Sequence, residues 1–215
     1  MNKPYEKIFV IGFNKCATST IHHLFQINNL SSYHQGTKYK IQKWTDVFDK
    51  YTCFSDIVFT IDIIKNLNKT NPNSLFILNT RKLNKWIISR FEHGVRGYLK
   101  DGKHGYYPYS EDKMISWINQ RKEYYRDVLE YFKNTPDKLL IISIENHNWE
   151  NYLREKLNLK VKIKDSKNVH KKSKEYSSIC NLVNKTFDKL GYSTNTQNQL
   201  LLDDEYLNIY DNNFS

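Results

Sequence analysis

KIFVIGFNKCATST, residues 7–20, decides the fold. Residues 7–12 form a continuous apolar run bounded by charge and glycine, the pattern of a strand buried on both faces, as strands of parallel sheets are. A short polar loop follows, and then Thr18 or Ser19, either of which can cap a helix carrying Ile21, Leu24 and Phe25 on one face. The unit is strand, loop, helix. A helix N-terminus offers backbone N–H groups and a partial positive charge, so such a loop binds phosphate or sulfate. Lys15 adds a full charge within the turn, and Thr18, Ser19 and Thr20 add hydroxyl donors.

Outward from this unit the same alternation continues. Residues 75–79 (LFILN) and 139–144 (LLIISI) are two more apolar runs of strand length, and a short strand precedes His34. Helical spacing runs over residues 40–50, 61–67, 83–93, 114–132, 149–157 and 173–190, the last stopped by Gly191. Residues 94–110, with several glycines and tyrosines, read as a long loop, and residues 158–170 as a basic one. Buried strands alternating with helices predict an α/β fold: a single domain over residues 1–191, its central, mainly parallel sheet flanked by helices. Residues 192–215 are a polar tail.

Composition narrows the partners. Lys and Arg total 33 against 23 Asp and Glu, a formal charge of +10 that favours anionic ligands. With 16 Tyr and 11 Phe the core is expected to be aromatic-rich. Cys16, Cys53 and Cys180 make neither a CxxC pair nor a zinc spacing, so a reducing, cytoplasmic setting is expected and no metal site. No apolar run approaches the length of a membrane span. The opening MNKPYEKIFVIGF is too short in its apolar part for a signal peptide.

LFILNTRKLNKWIISR, residues 75–90, sets Arg81 just past the carboxyl end of a strand and Ser89 on the next helix. Ligands of open α/β sheets bind outside these strand ends, and an arginine fork suits a phosphate dianion. The first loop lacks the GK[ST] of a Walker A loop, because its lysine comes three residues after Gly12. It resembles instead the 5′-phosphosulfate loop of sulfotransferases that use 3′-phosphoadenosine-5′-phosphosulfate (PAPS), which reads roughly PKxGTT. Lys15, Thr18, Ser19 and Thr20 are in register, with Cys16 and Ala17 completing the turn; Asn14 stands where proline is common and Ala17 where glycine is. In that family an Arg-x7-Ser pair holds the 3′-phosphate, matched here by Arg81 and Ser89, and Trp86 matches the form RxxxxWxxS seen in one branch of the family. The loop NVHKKS, residues 168–173, lies where the family uses a basic loop, with Lys171 and Lys172 as donors. The resemblance spans roughly residues 7–175.

It implies a P-loop NTPase-like sulfotransferase fold and transfer of a sulfuryl group from PAPS to an acceptor hydroxyl or amine, leaving 3′,5′-ADP without a metal. Lys15 would hold the leaving phosphate. The base would be Asp56, in CFSDIVF, the segment before the arginine strand, with His34 of SSYHQG as second candidate. A carbohydrate or small-molecule acceptor is expected. The competing readings are a nucleotide kinase-like P-loop enzyme, which requires the missing GK[ST], and a basic nucleic-acid-binding protein, for which no helix-turn-helix, RNP or zinc pattern is present.

Overall fold

A computed structural model describes residues 5–35, 44–101, 109–163 and 172–192. They divide into two compact units, one drawn from Met1–Arg81 and Glu130–Ser166, the other from Lys82–Leu129 and Lys167–Ser215.

The first unit is built on a five-stranded sheet: β1 (Lys7–Val10), β2 (Ser32–His34), β3 (Cys53–Ser55), β4 (Ser74–Thr80) and β5 (Leu139–Ser143), in the order β2-β3-β1-β4-β5. Every pairing is parallel. The apolar runs in β1, β4 and β5 explain this, since a parallel strand must be covered on both faces, and β4 is buried along its whole length. On one face Ile8, Val10, Leu75, Ile77, Leu140 and Ile142 pack with Ile21, Leu24 and Phe25 of α1 (Thr18–Ile27) and with Leu153 of α5 (Trp149–Lys156). The other face is aromatic. Phe54, Phe9 and Phe76 are register partners on three adjacent strands and stack at 5.6 and 5.2 Å, while Phe59 meets Phe9 edge-on and Phe132 meets Phe76. Each such pair adds about 0.5–1.5 kcal/mol beyond the area it buries. α2 (Ile61–Thr70) opens on Thr60, whose side chain accepts from the Ile63 N–H, and buries Ile64 and Leu67.

The second unit holds α3 (Leu83–Asp101), most of α4 (Glu111–Phe132) and α6 (Tyr176–Lys189). Its core includes Trp86, Phe91, Trp117 and Tyr125, with the fully buried Arg121 guanidinium 5.0 Å from the Trp86 ring and 4.9 Å from that of Tyr125. Buried Glu92 accepts from the Ser173 backbone N–H at 3.0 Å, from the Ser173 hydroxyl and from Arg96.

β3, a strand of three residues, is too short to carry a periodic signal. Two local expectations change. α3 runs on through Gly94 to Asp101, because Phe91 and Val95 keep its buried face going; residues 102–108 of the expected loop lie outside the described residues. Neither Thr18 nor Ser19 caps α1: the N-cap is Ala17 in the left-handed region, and Thr18 is already helical. Among the described residues no helix is long and apolar enough to cross a membrane.

Candidate functional site

All five strands of the sheet run the same way, so their carboxyl ends share one edge. His34 ends β2, Asp56 follows β3, the loop to α1 follows β1, Arg81 follows β4 and Glu145 lies just past β5. β1 sits at the centre of the order, between β3 and β4, where the chain's path across the sheet reverses and ligands of open α/β sheets bind.

The β1–α1 loop is shaped by two left-handed residues, Lys15 (φ 67°) and Ala17 (φ 63°), two apart. Such turns direct successive N–H groups into a concavity that attracts anions. The opening of α1 has no side-chain cap and no acidic residue in its first turn, so its N–H groups and dipole add to that attraction. Buried Asn79 fastens both ends of the loop: its Oδ1 accepts from the Gly12 N–H at 2.9 Å and its Nδ2 donates to the Cys16 carbonyl. Gly12 has no room for a side chain there, since a Cβ would lie 2.0 Å from the Asn79 carbonyl oxygen.

Beside the loop stands a titratable cluster. The Thr18 hydroxyl donates to Asp56 Oδ1 at 3.3 Å. His34 Nε2 lies 3.3 Å from Ser19 Oγ and 3.7 Å from Asp56 Oδ2, and its Nδ1 is 3.0 Å from Ser55 Oγ. The His34 ring stacks on His22, centroids 5.1 Å apart, and His22 Nδ1 bonds Ser32 Oγ at 2.8 Å. Burial lowers the pKa of His34; Asp56 works against that shift and the Lys15 ammonium adds to it. His22 is pushed down to about 4, by burial first and then by the charges of His34 and His23. Asp56 itself is left-handed (φ 57°), a conformation Asp tolerates better than most residues and one that concentrates at functional sites.

Arg81 completes the edge. Its Nη1 donates to the Lys15 carbonyl at 3.2 Å, and its Nε is 3.4 Å from Glu145 Oε1. The first unit therefore gathers Lys15, Cys16, Ala17, Thr18, Ser19, Thr20, His34, Asp56 and Arg81 along one edge of its sheet. Ser89, half-buried on α3, and Lys172, exposed with its ammonium 4.1 Å from the Tyr176 ring, belong to the second unit. Lys171 lies outside the described residues.

No family model matches this chain, and neither does any curated protein. Three of the site's residues escaped the sequence reading. Asn79 was visible as the polar end of an apolar run, Ser55 as the neighbour of Asp56, and Glu145 as the first charge after LLIISI. Each had a signal, but only the strand order gives it a partner.

Proposed function

We propose that this protein is a sulfotransferase of the PAPS-dependent fold, moving a sulfuryl group from PAPS to an acceptor hydroxyl or amine, with carbohydrate the favoured acceptor class. The observation that carries the reading is the contact between the anion loop and Arg81, beside a paired His and Asp, at the switch point of a parallel sheet. A nucleotide with phosphates on both its 5′ and 3′ positions asks for two cationic subsites close together. Lys15 with the loop N–H groups supplies one, and Arg81 the other. Ser89 and Lys172 enter the proposal on the resemblance alone.

In the reaction the acceptor oxygen attacks the sulfur, the bond from sulfur to the 5′-phosphate oxygen breaks, and 3′,5′-ADP leaves. Negative charge grows on that leaving phosphate, where Lys15 and the left-handed turn oppose it. The acceptor's proton needs a base. In the tautomer with its proton on Nδ1, His34 donates to Ser55 Oγ, which in turn donates to the Tyr33 carbonyl at 3.4 Å, and the lone pair on Nε2 faces Ser19 and Asp56; this is the tautomer the reaction requires. A depressed pKa keeps that imidazole neutral at physiological pH. Asp56 then stabilises the imidazolium that forms, so the geometry favours dividing the base role between the two candidates, with His34 taking the proton.

The test is transfer from sulfur-labelled PAPS to a panel of mono- and oligosaccharides. Lys15→Ala should lower turnover about 10²–10³-fold with the fold intact, the usual loss when a preorganised charge is removed from a leaving group. Near-normal turnover in that variant would refute the assignment.

A further inference from the structure

We propose that Glu145 is a built-in counter-ion for Arg81, one that weakens the grip on the nucleotide and so speeds release of the product. This rests on the donor reading above. Glu145 lies just past β5, the neighbour of β4, whose carboxyl end carries Arg81. Its Oε1 is 3.4 Å from Arg81 Nε, with the two side chains 17 % and 28 % exposed. On the same guanidinium, Nη1 donates to the Lys15 carbonyl at 3.2 Å. The arginine therefore already faces the Glu145 carboxylate and a carbonyl of the anion loop before any phosphate arrives.

That arrangement has two consequences for an incoming dianion. It must share Arg81 with a carboxylate already in contact, and it is itself repelled by that carboxylate. Both groups are largely withdrawn from solvent, where salt screens them less than at an open surface. Neutralising Glu145 without changing its shape removes both effects and leaves Arg81 its full charge. The substitution should thus tighten binding, an outcome that damage to the site could not produce.

The experiment titrates 3′,5′-ADP into wild type and Glu145→Gln at low and at high ionic strength, with circular dichroism to verify folding. Glu145→Ala, equally neutral, serves if the glutamine variant does not fold. The variant should bind about 3–10-fold tighter at low salt, as expected for removing one charge several ångströms from a dianion. The gap should narrow as salt rises, and the nucleotide should dissociate more slowly. Binding equal to or weaker than wild type, with wild type itself binding, overturns the counter-ion role alone. If wild type does not bind 3′,5′-ADP at millimolar concentration, the donor reading fails and this inference fails with it.

Discussion

Asn79 is the residue on which the anion loop's shape depends most. It is fully buried, and one side-chain amide spans the loop from the Gly12 N–H to the Cys16 carbonyl. Asn79→Ala strands both of those buried groups. Each buried polar group left without a partner costs about 1–3 kcal/mol, so the loss should total roughly 2–6 kcal/mol. For a chain of 215 residues, at about 2–4 °C per kcal/mol, the melting temperature should fall by roughly 4–24 °C. Asn79→Asp separates shape from chemistry. It keeps an oxygen for Gly12 but turns the donor facing Cys16 into a second acceptor, so it should also destabilise. Urea unfolding and 3′,5′-ADP titration on the same samples are the assay, and affinity should fall with stability because the loop's two ends are released together. An Asn79→Ala protein within 1 kcal/mol of wild type, with unchanged affinity, would refute the buttress. Gly12→Ala offers an independent check: its Cβ would collide with the Asn79 backbone, and a well-folded variant with normal affinity would contradict the geometry.

Other outcomes follow from the same contacts. Ala17→Gly relieves a left-handed alanine (φ 63°); that conformation costs about 1–2 kcal/mol, of which about 0.5–1 kcal/mol is returned as glycine's greater chain entropy. A small gain in unfolding free energy is expected, and a loss would show that the alanine methyl is needed. Turnover should rise with pH along an acidic limb whose midpoint lies below the ordinary histidine value, because His34 must be neutral and burial depresses it. Asp56→Asn removes the one influence raising that value and should move the limb to lower pH; a limb that stays put or moves up would remove His34 as the group it reports. His22 binds its proton near pH 4 when folded and near 6.5 when unfolded, so stability should decline as pH falls through that window. The slope is at most about 1.4 kcal/mol per pH unit, reduced by the partial exposure of the ring. His22→Gln should flatten it in acid-range thermal melts.

Much of the frame was legible because its signals are local. KIFVIG, LFILN and LLIISI announce buried strands, and each meets the sheet within a residue or two of its expected limits. The β1–α1 loop declared itself by Lys15 and the hydroxyls after it. Three-residue β3 carried no period to detect, and α3 outran its expected end because helical glycines at a cost of about 1 kcal/mol each are outweighed by a continuing buried face. The cap of α1 was misplaced for a physical reason. Thr18 turns its hydroxyl to Asp56, a residue 38 positions away, and nothing local to the helix could reveal that bond. The partnerships of Asn79 with Gly12 and of Arg81 with Glu145 are likewise products of strand order, which places β4 between β1 and β5.

The most direct test of the account is calorimetric titration of 3′,5′-ADP and of 5′-AMP into wild type, Lys15→Ala and Arg81→Ala. Wild type should bind 3′,5′-ADP at a single site. Lys15→Ala should weaken both ligands, whereas Arg81→Ala, which also frees the Lys15 carbonyl, should weaken 3′,5′-ADP at least tenfold more than it weakens 5′-AMP, a difference of about 1.4 kcal/mol of charge-assisted contact. A wild type indifferent to the 3′-phosphate, or an Arg81→Ala protein that holds both nucleotides as wild type does, would contradict it.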